Sequence, residues 1–262
     1  MQCCIGGTSL ERAFMADALK VGIYASRADM GMAAAGDVAE RMRQVIAAKG
    51  KVAMAFAAAP SQNEFLAALA ADKSLDWSKV VAFHLDEYVG LPPDAPQGFA
   101  NFLRRHLFDR IKPGVIHFMN GFAPDLEAEC RRYSELLAAS PLDIACIGVG
   151  ENGHLAFNDP PVAQFDDAAQ VKAVELEERC RLQQVHDGCF NDLASVPTHA
   201  LTMTVPAIVS AASIHCTVPG PTKAGAVRDT IQGPVATSCP ASILRRCSNA
   251  TLYLDRDSAA LL

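Results

Sequence analysis

At 262 residues, the chain is at the upper end for one compact domain and long enough to bury a substantial core. Half of its residues are apolar and 20% are charged, an ordinary globular balance, and a net charge of −6 argues against a nucleic-acid surface. No stretch approaches the roughly 20 apolar residues that a membrane span needs, and the N-terminus lacks the basic start and apolar core of a secretory signal.

In chain order, Gly6-Gly7-Thr8 looks like a phosphate loop, but it follows no apolar run. Thr8-Ser9-Leu10-Glu11 reads as an ordinary helix start, and no function is assigned to it. Helical patterns run from Met32 to Ala48, Asn63 to Ala71, Asn101 to Arg110 and Asp125 to Ala138. Apolar runs extend from Val52 to Ala58, Val80 to Leu85, Ile144 to Val149, Ile214 to Val218 and Thr251 to Leu254. Strands alternating with helices indicate an α/β fold with a mainly parallel sheet. The runs are continuously apolar, as strands covered on both faces must be. With no repeat and no long linker, one domain is expected over residues 1–262, with 1–18 a candidate for a loosely attached segment.

Nine cysteines include no Cys-x-x-Cys pair, and Cys146 and Cys216 fall inside apolar runs, where cysteine behaves as a small hydrophobe. The odd count without ligand spacing points to reduced thiols in the cytoplasm, and no metal site is expected.

In a parallel sheet, ligands bind beyond the carboxyl ends of the strands. That rule selects Ala59-Pro60-Ser61-Gln62, Asp86-Glu87-Tyr88, the stretch from Gly148 to Pro160, and Gly220 to Lys223. Gly148-Val149-Gly150-Glu151-Asn152-Gly153 matches the dinucleotide fingerprint G-x-G-x-x-G. Pro160-Pro161, however, cuts off the long helix that a pyrophosphate requires, so the match reads as a decoy. The glycines would instead let the backbone at Gly150 approach a ligand, with His154 and Asp159 entering the same pocket. A carboxylate beside an imidazole fixes its tautomer and yields a general acid/base near neutral pH; the alternative is a loop histidine that only caps a turn. Of the adjacent acids Asp86 and Glu87, only one can face a pocket, because neighbours on an extended chain point opposite ways. Ser61-Gln62-Asn63-Glu64 fits an S-x-x-E capping box, and the helix it opens would offer an anion site.

The strings Leu85-Asp86-Glu87-Tyr88-Val89-Gly90-Leu91-Pro92 and Gly148-Val149-Gly150, with Asn152-Gly153-His154-Leu155-Ala156-Phe157-Asn158, resemble the glucosamine-6-phosphate deaminase family. The likeness runs from about Val52 onward and includes Pro197 to Thr202 and Gly220-Pro221-Thr222-Lys223-Ala224. It implies a Rossmann-like three-layer α/β sandwich that converts an amino-sugar phosphate to a ketose phosphate and releases ammonia, without metal or organic cofactor. Asp86 matches the carboxylate that carries a proton between C2 and C1 through an enediol. His154 matches the histidine that assists ring opening, Asp159 its acidic partner, and Lys223 a phosphate contact.

Four departures stand out. Asp159 replaces the usual Glu, and Asn152, where the family has Asp or Asn, cannot itself exchange a proton. Ala58-Ala59-Pro60-Ser61-Gln62-Asn63 replaces a Gly-Gly-Thr phosphate loop, and a phosphate-holding arginine is missing near His186. The reading is therefore a hexosamine-6-phosphate deaminase/isomerase with Asp86, His154, Asp159 and Asn152 at the reaction centre. Ser61, Gln62, Gly150 and Lys223 would bind substrate, a small-molecule sugar phosphate, while nucleic acid and membrane are excluded as partners and homo-oligomerisation stays open. Two rivals remain, a 6-phosphogluconolactonase-type hydrolase, whose family typically continues Ser-Leu-Phe-Pro after the Gly-His element, and a non-catalytic sugar-phosphate sensor.

Overall fold

The computed structural model describes residues 8–262. Its strands are β1 (Leu10–Ala16), β2 (Leu19–Tyr24), β3 (Val52–Phe56), β4 (Val80–His84), β5 (Asp86–Tyr88), β6 (Val115–His117), β7 (Ile144–Ile147), β8 (Val171–Glu175), β9 (His199–Met203), β10 (Ile214–Val218) and β11 (Ala250–Asp255). Eight of them form one sheet in the order β1-β2-β11-β10-β7-β3-β4-β6, parallel throughout except for the β1–β2 hairpin at its edge. The other three form an antiparallel sheet, β5-β9-β8.

The apolar runs are strands because both of their faces are covered. In β3, Val52, Met54 and Phe56 join one core while Ala53 and Ala55 join the other. The first core includes the helices Arg27–Lys49 and Asn63–Ala71, and the second takes in Tyr133 and Leu137 of helix Leu126–Ala139. Two cores flanking one sheet make the three-layer sandwich. Gly31 lets the first two helices cross closely: a Cβ there would lie 2.8 Å from the backbone of Glu64.

The expected helix over Asn101–Arg110 is present as helix Phe99–Leu103, a π-helical turn over Arg104–Phe108, and a last turn, Asp109–Ile111. At the N-terminus the sequence reading fails. Leu10-Glu11 begins β1, and residues 10–16, expected within a loose stretch, pair along their length with β2. The hairpin is tied further by Ala18 N–H donating to Arg245 O at 3.0 Å and by an Asp17–Arg245 ion pair. Gly6 and Gly7 of the rejected phosphate loop, with Cys3 and Cys4, lie outside the described residues. The seven cysteines among the described residues are free, and no helix there is long and apolar enough to cross a membrane.

Candidate active site

The strand order changes direction between β3 and β7: the chain proceeds from β3 to β4 on one side and returns to β7, β10 and β11 on the other. Such a switch point opens a crevice at the carboxyl ends of the strands. A cleft of about 540 Å³, counting the solvent at its mouth, lies there between the segments beyond β3, β4, β7 and β10. Ser61, Gln62, Asp86, Gly150, His154 and Lys223 all line it. Asn152 and Asp159 stand behind His154 as its supports.

Asp86 opens β5, where it pairs with Thr202 of β9, and its residue is 7% exposed. Its carboxylate has no hydrogen-bond partner among the described residues. Burial, and then the charge of Glu87, push its pKa well above the ordinary carboxylate value. Glu87 points the other way, as the pleat requires. It accepts the N–H groups of Tyr88 and Phe99 at 3.0 Å and of Ala100 at 2.9 Å, capping the helix Phe99–Leu103. One acid faces the cleft and the other is consumed by structure.

The three glycines of the decoy fingerprint each make room for a protein group. A Cβ at Gly148 would lie 2.8 Å from Gln62 Nε2, one at Gly153 would lie 2.7 Å from Cys239 Sγ, and one at Gly150 would overlap the His154 imidazole. Gly153 also has a φ of 84°, in the left-handed region. Beyond it the chain folds into a compact loop, without the long helix that a pyrophosphate needs. Ala156 holds a φ of 49°, unusual for a residue with a Cβ. Buried Asn158 fixes this loop by donating at 2.8 Å to both Leu155 O and Met203 O.

His154 Nδ1 lies 2.9 Å from Asp159 Oδ1, but no aligned hydrogen bond joins them. Asp159 accepts from Asn152 Nδ2 at 2.9 Å and from Glu177 N–H at 3.3 Å. Burial alone would raise the Asp159 pKa; His154, Asn152 and the Glu177 amide outweigh it and bring the value below the ordinary one. Asn152 also donates to Glu177 Oε2 at 2.6 Å and accepts the backbone N–H of His154 at 3.1 Å.

Opposite this pair, Lys223 ends a turn, Pro221–Lys223, that runs into helix Ala224–Gln232. It is buried, and its ammonium makes no ion pair or hydrogen bond among the described residues. Burial lowers its pKa, against the opposing pull of Asp187 and Glu151. Ser61 sits in the matching turn, Pro60–Gln62, ahead of helix Asn63–Ala71. The expected capping box does not form. The turn starts at Pro60, before Ser61 could cap it, and Glu64 instead grips Arg27 through two 3.0 Å contacts. Glu64 is thus neutralised at a place where its charge would repel an anion.

Gln62 is less open to a ligand than its position suggests. Its amide accepts from Thr217 Oγ1 at 2.7 Å and donates at 3.3 Å to Thr217 O and to Ser61 Oγ. Ser61 Oγ therefore accepts from the protein and keeps its O–H to donate into the cleft. Sequence reasoning missed Gln183 and Gln184, which line the cleft from helix Glu178–His186. Gln183 accepts Glu151 N–H at 2.9 Å, whereas the Gln184 amide has no partner among the described residues. Two adjacent glutamines on a polar helix carry no sequence signal by themselves.

Residues 25–253 match the family model of glucosamine-6-phosphate isomerases/6-phosphogluconolactonases. The chain belongs to this family. A glucosamine-6-phosphate deaminase of Bacillus cytotoxicus is 37% identical over 220 residues, covering 84% of this chain and 82% of that one. A glucosamine-6-phosphate deaminase of Bacillus thuringiensis is 36% identical over 187 residues, 71% of this chain and 70% of that one. Among solved structures, a monomeric glucosamine-6-phosphate deaminase of the NagB superfamily superposes with a TM-score of 0.85 at 30% identity, covering 92% of this chain and 99% of that one. A 6-phosphogluconolactonase of Thermotoga maritima gives 0.73 at 18% identity over 90% of this chain and 99% of the other, a likeness of fold alone.

Proposed function

We propose that the protein converts a hexosamine 6-phosphate, with glucosamine 6-phosphate as the first candidate, into a ketose 6-phosphate and ammonia. The observation that carries this reading is Asp86, a buried carboxylate facing a cleft that His154, backed by Asp159, and Lys223 also line, with neither Asp86 nor Lys223 paired among the described residues. The deaminases that this chain resembles act on that substrate by name.

The residues divide the work by chemistry. Lys223 and the Ser61 hydroxyl take the phosphate, aided by the helix N-termini at which both sit. The free amide of Gln184 serves in place of the missing arginine. Gln62 acts by holding Ser61. His154 carries a proton to the ring oxygen as the C1 hydroxyl loses its own, which opens the ring to the aldehyde. Asp159 orients the imidazole and stabilises its charged form, and Asn152 orients Asp159. Asp86 then takes the C2 proton as the aldehyde oxygen gains one from solvent, giving a 1,2-enolamine, and a proton from Asp86, the original one or one exchanged with solvent, goes to C1, giving the protonated 2-imine of the ketose. Water adds to that imine, and ammonia leaves as the ketose forms. A carboxylate with a raised pKa is the stronger base for the C2 proton. Every step is proton transfer or hydration, so neither metal nor organic cofactor is required. Free thiols fit a reducing compartment such as the cytoplasm.

The test is a coupled assay for ammonia and fructose 6-phosphate over a panel of sugar phosphates that includes 6-phosphogluconolactone. Equal amounts of ammonia and ketose from an amino sugar are expected. Lactone hydrolysis without ammonia release would sink the reading.

A further inference from the structure

Cys180, on helix Glu178–His186, is 1% exposed and has no part in the proposed reaction. Its Sγ, a ring nitrogen of His154 and a carboxylate oxygen of Asp159 all lie within 4.8 Å of one another. The spacing 154, 159 and 180 has no ligand pattern in the sequence, and the fold assembles the cluster by bringing the helix over the loop. His154 Nδ1, buried and 2.9 Å from Asp159 Oδ1, has no aligned hydrogen bond among the described residues.

A thiol, an imidazole and a carboxylate are the donors that zinc and its borderline-soft neighbours select, in tetrahedral sites that leave a fourth position for water. The outer shell is already built. Asn152 Nδ2 and Glu177 N–H hold the two oxygens of Asp159, the kind of support that keeps ligands aimed at a metal. A surface pocket of about 570 Å³, counting the solvent at its mouth, is lined by Asp159 together with Glu175, Glu177 and Glu178 among others. Three carboxylates along it favour a cation.

We propose that His154, Asp159 and Cys180 form an inhibitory binding site for a thiophilic divalent cation, with Zn²⁺ as the probe. On binding, the Cys180 thiol loses its proton to solvent and its sulfur bonds the metal. The Nδ1 lone pair of His154 does the same, which leaves the ring N–H on Nε2. The imidazole can then no longer take up a second proton at Nδ1, and Asp159 no longer stabilises a charged ring. The inhibition rests on the deaminase reading above; the metal binding does not.

The experiment titrates the metal-free protein with Co²⁺ and follows the thiolate-to-cobalt charge-transfer band, with Zn²⁺ as displacing competitor. Wild-type protein is expected to give the band at one equivalent. Cys180→Ser should lose it and bind Zn²⁺ at least tenfold more weakly, while Cys239→Ser keeps it. In the presence of chelator, Cys180→Ser should retain the basal rate. Zn²⁺ should inhibit the wild type, reversibly with chelator, and spare Cys180→Ser. A missing band in the wild type, or one that survives Cys180→Ser in a protein with wild-type circular dichroism, overturns the site. A band without inhibition of an active enzyme overturns the inhibitory role. If no sugar phosphate is turned over, the deaminase reading and the inhibition built on it both fail, and the band still decides whether the metal site exists.

Discussion

Asp86 and Glu87 are neighbours in one short strand, yet their carboxylates occupy different worlds. Glu87 accepts three backbone N–H groups at a helix start, whereas Asp86 accepts none among the described residues and faces the cleft. The side that each faces sets its fate: one acid is spent on structure and one is free for chemistry.

Asp86→Asn should therefore lower turnover by about two to four orders of magnitude, the usual scale for losing a general acid/base. The same change should stabilise the fold at neutral and higher pH. The folded-state pKa of Asp86 is raised, so the wild type loses stability as pH rises through it and loses none below the unfolded value. The gain in melting temperature of the variant should shrink as the pH is lowered into the carboxylate range. In parallel, the acid limb of kcat/KM should sit above that range. Thermal melts and rate profiles across pH check both, and a variant that is less stable than wild type at pH 8 would contradict the assignment.

His154→Gln and Asp159→Asn should each impair turnover of closed-ring substrate and still permit exchange of the C2 proton on open-chain sugar. Groups that act as one unit are non-additive, so the double variant should be little worse than either single change. Deuterium exchange at C2, measured beside ketose formation, separates the two steps. Equal loss of both signals would assign His154 to the proton transfer itself.

Lys223→Gln should raise KM by roughly ten- to a hundredfold, the range for a lost charge-assisted hydrogen bond. Ser61→Ala should raise it less, since a neutral donor is worth about half as much. Inorganic phosphate as a competitive inhibitor gives an independent reading: its inhibition constant should weaken with each variant. A changed kcat with an unchanged KM would move Lys223 out of the phosphate site.

Gly150→Ala should behave as a mild form of His154→Gln, because the new methyl must displace the imidazole. Gly36→Ala, at a helical position with open space around it, is the control and should be neutral or slightly stabilising. Wild-type activity in Gly150→Ala would show that the position of the ring over that glycine is not needed.

Five strands of the central sheet, β3, β4, β7, β10 and β11, were legible because they are buried on both faces and read as continuous apolar runs. β1 is an edge strand with most of its side chains exposed, so it shows no apolar run and its first residues imitate a helix cap. β5 is only three residues long and takes its strand character from β9, far along the chain. The site obeys the same logic. Asp86 follows β4, and His154 and Asp159 lie in the loop that follows β7, where a rule of topology finds them. Cys180, Gln183 and Gln184 arrive on a helix whose placement over the cleft depends on tertiary packing, and no local pattern announces them. The capping box failed for a related reason: Glu64 had a distant partner, Arg27, on another helix.

The most direct test is to turn over glucosamine 6-phosphate in D₂O and analyse the products together. One ammonia is expected per fructose 6-phosphate, with deuterium entering C1 on a single face, as a single carboxylate on one side of the sugar that exchanges its proton with solvent would deliver it. Ammonia without ketose, or deuterium on both faces of C1, would contradict a proton carried by Asp86.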